Sequence, residues 1–295
     1  MRERLTRVIF AASCVAIGAL PLTLVQRIGA AAGLLAWWLH ISAARITRIN
    51  VDLCFPGFDA KERVFLARRS LAETGRTIAE YLYLSRAPEG RWRQCVDGVV
   101  DAALLQPDTA RSRGVLVIVP HFGNWELLNL YLGREHGLIA MYEPRRDAAL
   151  EREILESRSR TGSTMVPASL PGVRALYRGI QSGRVVALLP DQVPSRAGGV
   201  FAPFFGLPAL TMTLPHRLVR RTGARVVLGS AQRLPGGRFE IRFEDLGDAL
   251  GVASEVEAAT ALNRAIESLI ARAPAQYLWG YKRFRRRPAG QEPVY

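Results

Sequence analysis

The stretch that decides the fold reads VLVIVPHFGNWELLNLYL and runs from residue 115 to residue 132. Its first part, VLVIVP, is continuously apolar, as expected for a buried strand that ends at Pro120. A short loop from His121 to Trp125 follows, and a helix is predicted to begin near Asn124. A buried strand, a short loop and a helix in this order open a β-α-β unit, so the stretch predicts an α/β fold with a largely parallel sheet flanked by helices.

The same alternation of strands and helices continues toward the C-terminus. Further strands are predicted at 138–142, 164–168, 185–190 and 225–231, and helices over 125–136, 147–160, 172–182 and 212–222. Glycine follows three of these helices, at Gly137, Gly183 and Gly223, and glycine is typical of a helix C-terminus. The regular spacing indicates one α/β domain.

Three other local patterns complete the predicted elements. DAKE at 59–62 has the form of a capping box, and it starts a helix that we expect to reach about Leu84. LPGGRFEIRFE at 234–244 predicts a hairpin, because Pro and Gly separate two runs of strand-forming residues. Residues 253–272 predict an amphipathic helix.

The N-terminal segment, residues 1–45, is predicted to be a membrane anchor. An uncharged run from Val8 to Val25 follows three arginines, and after Arg27 a second apolar stretch runs from Ile28 to Ala44. Since about 20 apolar residues are needed to span a membrane, a tilted span, a re-entrant helix and an interfacial helix all fit these lengths. A cleavable signal peptide is the alternative, but the apolar sequence continues past any plausible cleavage point. Basic residues on both flanks favour the cytoplasmic face for both ends.

The charge of the chain is strongly basic. Lys and Arg number 40 against 26 Asp and Glu, a net charge of +14, and Lys61 and Lys282 are the only lysines. Such a charge attracts an anionic partner, and nucleic acid, anionic lipid headgroups and an acidic carrier protein all qualify. The forked guanidinium favours recognition of phosphate or carboxylate.

The residues give no pattern of a metal or cofactor site. The 3 cysteines are widely spaced, and the 4 histidines lack the spacing of zinc ligands. The sequence contains no G-x-S-x-G turn, no Walker loop and no dinucleotide fingerprint. We therefore expect no metal and no cofactor, and a reducing compartment.

The residues that can carry chemistry lie where the strand at 115–120 ends. Side chains at the carboxyl end of a parallel strand face the crevice in which open α/β sheets bind ligands. His121 lies there, and Glu126 follows five residues later, where a loop and the first helical turn can bring the two together. A carboxylate that fixes the imidazole tautomer would let His121 remove a hydroxyl proton during attack on a thioester. The alternative is that His121 caps the helix and Glu126 favours its positive end.

A set of ordered motifs gives the chain a resemblance to a known family. HFGNWE at 121–126 is accompanied by RINVDLCFPGF at 48–58, MYEPRR at 141–146, LLPDQVPSRAGGVFAPFFGLPALTM at 188–212 and AQYLWGYKRFRRRP at 275–288. Together they resemble the lipid A late acyltransferases of the lauroyl and myristoyl type, a branch of the lysophospholipid acyltransferase-like superfamily. The resemblance covers almost the whole chain, so residues 46–295 are interpreted as the acyltransferase domain.

The resemblance implies a reaction, a catalytic pair and a location. It implies transfer of an acyl group from acyl-carrier protein, less often from acyl-CoA, to the hydroxyl of an acyl chain already present on a lipid A precursor. His121 and Glu126 match the catalytic pair of the family. The implied location is the bacterial inner membrane, with the catalytic domain on the cytoplasmic side.

Six further residues are predicted to bind substrate. Two belong to the HFGNWE motif, and the others lie at the ends of the strands predicted at 138–142 and 185–190 and should converge on the same crevice. An arginine pair there would hold phosphate or carboxylate, and an aspartate would orient an acceptor hydroxyl or pair with an arginine. The alternatives are surface charge and an ordinary helix cap. The predicted residues are Phe122, Asn124, Tyr142, Arg145, Arg146 and Asp191.

Two other functions remain open at this point. One is an acyltransferase for another lipid acceptor, such as a glycolipid, an ornithine lipid or a lysophospholipid. The other is a membrane-tethered protein without catalysis whose arginines bind RNA or anionic lipid, for which the tail YKRFRRRP at 281–288 is the best argument. Polar residues at strand ends of an apolar α/β core favour the enzyme, with no nucleic-acid partner. The basic tail is then expected to contact a membrane or an acidic carrier protein.

Overall fold

The computed structural model describes residues 2–106, 113–145 and 147–295, and for residues 2–9 it describes the backbone alone. The helices are α1 Arg2–Gly18, α2 Leu22–Trp38, α3 Ser42–Cys54, α4 Ala60–Ser85, α5 Glu89–Gln94, α6 Trp125–His136, α7 Ala148–Ser159, α8 Leu170–Gln181, α9 Leu214–Thr222 and α10 Glu255–Arg272. The strands are β1 Val96–Val100, β2 Val115–Ile118, β3 Ile139–Tyr142, β4 Thr164–Pro167, β5 Val185–Leu188, β6 Gly199–Phe204, β7 Leu207–Met212, β8 Arg225–Arg233 and β9 Phe239–Asp245.

A mostly parallel sheet forms the centre of the molecule. Its strand order is β1-β9-β8-β2-β5-β3-β4. Neighbouring strands are parallel, except for the antiparallel pair β8 and β9. Strand β2 lies between β8 and β5, where Val117 pairs with Val227 on one side and Ala187 on the other. The predicted parallel sheet flanked by helices is therefore confirmed.

Both faces of the sheet are covered by helices, as the apolar run at 115–118 requires. On one face Leu116 and Ile118 pack into a core that includes residues of α8, α9 and α10. On the other face Val115 and Val117 pack with Leu128 of α6. Burial on both faces explains why this strand is continuously apolar and does not alternate with polar residues.

The local helix signals are confirmed at most positions. Asp59 Oδ1 accepts the N–H of Glu62 at 2.9 Å, and the Glu62 carboxylate accepts the N–H of Asp59 at 2.8 Å, which completes the capping box. Gly137 and Gly223 end α6 and α9 with positive φ values of 57° and 63°. Helix α8 ends at Gln181, one residue before the predicted end, and Gly183 follows it with a positive φ of 77°.

Sequence patterns missed a second, smaller sheet. Strands β6 and β7 form an antiparallel hairpin in which Gly199 pairs with Met212 and Phe204 with Leu207. Its two central turn residues, Phe205 and Gly206, have φ values of 50° and 75°, as in the mirror-image turns that match strand twist. A phenylalanine with positive φ is uncommon, so this turn carried no recognisable signal.

Helix α2 packs on α4 at backbone distance, because glycines line the crossing. A Cβ atom added to Gly33 would lie 2.0 Å from the carbonyl oxygen of Leu71, and one added to Gly75 would lie 2.0 Å from the carbonyl oxygen of Gly29. No larger residue fits there without separating the helices. The second N-terminal helix is thus a packed layer of the described structure.

Within the described residues, no single helix combines the length and apolar content needed to cross a membrane. Helices α2 and α3 meet these criteria only as a pair, and the pair is bent by 84° at its break. The membrane anchor at residues 1–45 stays a prediction.

Candidate active site

The loop that carries His121 is fixed on both sides. The N–H of Asn124 donates to the carbonyl oxygen of Ala231 in β8 at 2.8 Å, and the N–H of Gly123 donates to that of Gln276 at 3.0 Å. The carbonyl oxygen of His121 accepts the N–H of Leu278 at 3.0 Å. Gly123 is required because its φ is 60° and a Cβ would lie 2.1 Å from the oxygen of Ala231. The loop is therefore held between β8 and the C-terminal segment 275–288.

His121 pairs with Asp191, which lies three residues after the end of the neighbouring strand β5. The ring Nδ1 of His121 lies 2.8 Å from Asp191 Oδ1, and the backbone N–H of His121 donates to Asp191 Oδ2 at 2.9 Å. Asp191 is only 2% exposed. Because both carboxylate oxygens engage the same residue, the plane and tautomer of the imidazole are fixed.

The Asp191 carboxyl is held in its charged form. Burial alone would raise its pKa, but the His121 ring, the His121 backbone N–H and the nearby Arg283 outweigh burial, and the pKa lies below its ordinary value. Tyr277 lies beside this carboxylate, and burial together with the negative charge of Asp191 raises the pKa of the tyrosine well above its usual range. At neutral pH the site thus contains an ionised aspartate next to a neutral tyrosine.

The other ring nitrogen of His121, Nε2, is not engaged by Asp191. With Nδ1–H donated to Asp191, Nε2 carries the lone pair, and the amide Nε2 of Gln192 lies 3.2 Å from it. The ring of Trp125 packs edge-on against the imidazole, with 5.0 Å between centroids. The His121 side chain is 15% exposed, so the ring is held on three sides and open on one. This is the arrangement that a general base needs.

Glu126 does not pair with His121 in the structure, which corrects the predicted pairing. Its carboxylate binds Arg158 of α7, whose Nε donates to Glu126 Oε2 at 2.9 Å and whose Nη2 donates to Glu126 Oε1. Helix α6 begins at Trp125, as predicted, but its first turn directs the Glu126 side chain to Arg158 of α7. Burial lowers the pKa of Arg158, but the Glu126 carboxylate outweighs burial, so the pKa is raised and the pair is ionic.

Phe122, Asn124 and Asp191, predicted to bind substrate, are enclosed by the protein. Phe122 is 1% exposed and lies in the core. Asn124 caps α6 by accepting the N–H of Leu127 at 2.9 Å, and its amide donates to Glu80 at 3.0 Å. Asp191 was expected to orient an acceptor or pair with an arginine, and instead it holds His121. These contacts make all three residues supports of the loop, and none of them presents a free group to substrate.

Tyr142 and Arg145 lie at the end of β3, two strands away from β2. The Tyr142 hydroxyl donates to Glu151 Oε1 at 3.2 Å, and the backbone N–H of Arg145 donates to Glu151 Oε2 at 2.5 Å. No hydrogen bond or ion pair joins either residue to His121 within the described parts of the chain. The Arg145 side chain is exposed, and Arg146 lies outside the described residues.

The aromatic and basic residues of the C-terminal motifs divide between core and surface. Phe204 is buried in the main core, and Phe205 packs against Phe55 with 5.3 Å between ring centroids. Arg283 is 2% exposed and donates to the carbonyl oxygen of Leu210 at 2.7 Å and to Thr211 Oγ1 at 2.9 Å. The expectation that the whole basic tail faces a partner is therefore wrong for Arg283, although Arg285 and Arg286 are exposed.

Sequence reasoning missed several residues that build the site. Gln192 directly follows Asp191 but lacks a local pattern of its own, and Arg158 is 32 residues from its partner Glu126. One signal was available on α4, where polar residues recur on the same helical face at spacings of four and three. They are Glu73, Thr77 and Glu80, all of them buried.

Comparison with known proteins identifies the family of the chain. Residues 2–286 match the family described as bacterial lipid A biosynthesis acyltransferase. The chain is 31% identical over 254 residues to the lipid A biosynthesis palmitoleoyltransferase of Escherichia coli K12, which covers 85% of this chain and 81% of that protein. It is 26% identical over 273 residues to the lauroyltransferase of the same organism, with 92% and 88% covered.

A third relative is named for a different lipid. The phosphatidylinositol mannoside acyltransferase of Mycobacterium tuberculosis is 27% identical over 168 residues, which cover 54% of this chain and 51% of that protein. The family resemblance seen in HFGNWE and its companion motifs is confirmed, and the alternative of a protein without catalysis is set aside. The chain belongs to the bacterial lipid A biosynthesis acyltransferase family and is an acyltransferase.

Proposed function

We propose that the chain transfers a fatty acyl group from a thioester donor, acyl-carrier protein or acyl-CoA, to a hydroxyl of a lipid A precursor. His121 acts as the general base and Asp191 as the carboxylate that orients it. The observation that carries this mechanism is the double contact of Asp191 with the ring and the backbone of His121 at the carboxyl edge of the sheet. This edge is where open α/β sheets place their ligands.

The proposed chemistry uses Nε2 of the imidazole, where the acceptor hydroxyl takes the place of the Gln192 amide. Nε2 of His121 accepts the proton of the acceptor hydroxyl as that oxygen attacks the thioester carbonyl carbon. The resulting imidazolium is stabilised by the Asp191 carboxylate. When the tetrahedral intermediate collapses, the carbon–sulfur bond breaks, the new ester forms, and the imidazolium returns the proton to the leaving thiolate. The N–H groups of Trp125 and Glu126 at the start of α6 have no acceptor within the helix and are suited to stabilise the oxyanion.

We also propose that the protein works at the inner membrane, with its catalytic domain on the cytoplasmic side. Exposed apolar side chains at the end of α2 and the start of α4 support this location. Trp38, Leu39 and Phe65 are 63%, 66% and 61% exposed, and the Arg68 guanidinium lies 5.4 Å from the ring centroid of Trp38. An apolar surface with cations at its rim suits a bilayer that contains anionic lipid.

The function is tested with the purified full-length chain and defined substrates. Matched acyl-carrier protein and acyl-CoA thioesters are offered with a lipid A precursor, a glycolipid or a lysophospholipid, and products are identified by mass spectrometry. We expect transfer to the lipid A precursor and a loss of roughly 10²–10⁴-fold in kcat for His121→Ala. The matched control is His136→Ala, which removes a histidine from the last turn of α6 and should retain activity. Near-parental turnover of His121→Ala contradicts the mechanism, and preference for another lipid contradicts the acceptor.

A further inference from the structure

A buried carboxylate, Glu80, lies at the centre of a polar network beneath the loop that carries His121. Glu80 is fully buried and accepts hydrogen bonds from three side chains. Gln26 Nε2 donates to its Oε1 at 2.8 Å, Arg233 Nε donates to the same oxygen at 2.7 Å, and Asn124 Nδ2 donates to its Oε2 at 3.0 Å. Arg233 Nη2 also donates to Oε2. Each carboxylate oxygen is therefore fully engaged.

The network is balanced in charge, which explains how these groups can be buried. Glu73 and Glu80 face Arg233, and Arg76 makes a second ion pair with Glu73. Burial lowers the pKa of Arg233, but the two carboxylates outweigh burial, so its pKa is raised. A fully paired network of this kind fixes the positions of its members.

The network reaches the His121 loop at two adjacent residues. Asn124 is held through its side chain by Glu80. The carbonyl oxygen of Gly123 accepts the Thr77 hydroxyl at 3.2 Å, and Arg233 Nη2 donates to that same hydroxyl oxygen at 3.1 Å. The segment between His121 and α6 is therefore bound to α4 through the side chain of Asn124 and the backbone of Gly123.

The network also reaches helix α2, through Gln26. The Gln26 amide nitrogen donates to Glu80 and, at 2.7 Å, to the carbonyl oxygen of Gly237 in the turn between β8 and β9. Gln26 lies one turn before Gly29, where α2 meets the backbone of α4. The position of Gln26 is thus fixed by the glycine crossing, and a chain of two hydrogen bonds leads from α2 through Glu80 to Asn124.

We propose that Glu80 and Gln26 are positioning residues for the reaction, so that helix α2 belongs to the catalytic unit as well as to the segment predicted as an anchor. This proposal rests on the proposed role of His121 as base. Through Asn124 the network sets the loop and thereby the distance of His121 from Asp191. A displacement on the order of 1 Å between reacting groups lowers a rate by up to about 10²-fold.

Two variants of the full-length protein test the link from its two ends. Gln26→Met keeps the length of the side chain and removes both donated hydrogen bonds. Asn124→Ser keeps an oxygen that can cap α6 and removes the donor to Glu80. We expect each to lower kcat by roughly 10- to 100-fold while KM for donor and acceptor changes by less than about twofold. Hydrogen–deuterium exchange should rise in the peptide that contains residues 121–127.

A stability-matched control separates positioning from general weakening of the fold. Ile180→Ala removes buried apolar atoms from α8, at the opposite end of β2, where the carbonyl oxygen of Ile180 accepts the N–H of Gly114. At an equal or greater loss of Tm, Ile180→Ala should retain kcat and leave exchange at 121–127 unchanged. If it loses kcat equally, or if folded Gln26→Met and Asn124→Ser retain kcat, the proposal is overturned.

The remaining outcomes also decide the question. If Gln26→Met does not fold, Asn124→Ser decides alone, because it cuts the link at the loop and leaves α2 in place. If the proposed role of His121 as base is wrong, His121→Ala retains activity in the same assay, so this outcome is distinct from a failure of the positioning network. Loss of activity in His121→Ala with full activity in Gln26→Met and Asn124→Ser supports the base and rejects the positioning network.

Discussion

Arg158 holds both carboxylate oxygens of Glu126, although the two residues belong to different helices, α7 and α6. Their side chains are 22% and 11% exposed, and Trp125 Nε1 adds a third hydrogen bond to Glu126 at 3.2 Å. Forked pairing of this kind fixes orientation as well as charge. Because Trp125 also packs on His121, the ion pair supports the wall of the site and does not itself contact the imidazole.

This arrangement predicts that Glu126 acts mainly through stability. Glu126→Leu or Arg158→Met alone leaves one partly buried charge unpaired, so each should lower the free energy of unfolding by about 1–3 kcal/mol. The double variant should recover part of that loss, and a double-mutant cycle of denaturant unfolding measures the coupling. A kcat for the double variant that is still lower by 10²-fold or more, by the scale of a positioned base, would show that Glu126 takes part in the chemistry.

The carboxylate that supports the base is predicted to be Asp191. Asp191→Asn keeps the size of the side chain but removes the charge that stabilises the imidazolium. We expect kcat to fall by roughly 10²–10⁴-fold, with little change in KM, in steady-state assays. Glu126→Gln is the matched comparison, since it also neutralises a carboxylate near the loop. Equal effects of the two variants would speak against the assignment of Asp191.

Most of the fold was predictable because its signals are local. Continuous apolarity at 115–118, the capping box at Asp59 and the glycines after α6 and α9 each depend on a few neighbouring residues. Strand β1 was missed because its burial alternates and its sequence, VDGVV, contains Asp and Gly. The hairpin β6 and β7 was missed because its turn begins with Phe205, which carries no turn signal.

The partner of His121 was not predictable from local spacing. His121 and Asp191 are 70 residues apart, and only the order of strands in the sheet brings β2 and β5 together. Spacing favoured Glu126, which is five residues from His121, but the first turn of α6 directs that side chain to Arg158. His121 and Asp191 were both singled out from their strand-end positions, so their proximity was predicted, and their pairing was not.

The pKa of Asp191 predicts a specific pH dependence of stability. A carboxyl whose pKa is lowered by folding stabilises the native state above its unfolded pKa, about 3.9, and this contribution is lost as pH falls toward the folded value. The free energy of unfolding should therefore decline more steeply below about pH 4 in the parent than in Asp191→Asn. Denaturant titrations at a series of pH values measure the difference. If the free energy of unfolding changes with pH in the same way in both proteins, the Asp191 carboxyl does not contribute to the pH dependence of stability.

The glycine crossing of α2 and α4 predicts that added volume is not tolerated there. Gly33→Val should lower the free energy of unfolding by about 1–3 kcal/mol or more, because its Cβ meets the backbone of Leu71. Ala32→Val is the control, since Ala32 is exposed on the same helix and the same β-branched residue is introduced. Thermal unfolding of the two purified variants gives the comparison, and equal Tm values would mean that the crossing is loose.

The last prediction concerns the proposed membrane surface, defined by Trp38, Leu39 and Phe65. Each of these side chains is more than half exposed, and removal of a large apolar side chain from a lipid contact costs about 1.5–3 kcal/mol. Trp38→Ser combined with Phe65→Ser should therefore weaken binding to phosphatidylglycerol-containing vesicles by roughly 10²-fold or more.

The control for the double serine variant is Leu170→Ser, because Leu170 is 75% exposed at the start of α8 and belongs to a different surface. Arg68→Gln should reduce the preference for anionic over zwitterionic vesicles at low salt and have little effect at high salt, since exposed charges are screened. Turnover of a water-soluble acyl thioester should stay near the parental rate in all these variants, because none of the changed residues contacts the His121 loop. Vesicle co-flotation provides the measurement, and undiminished binding of the double serine variant would place the membrane contact elsewhere on the chain.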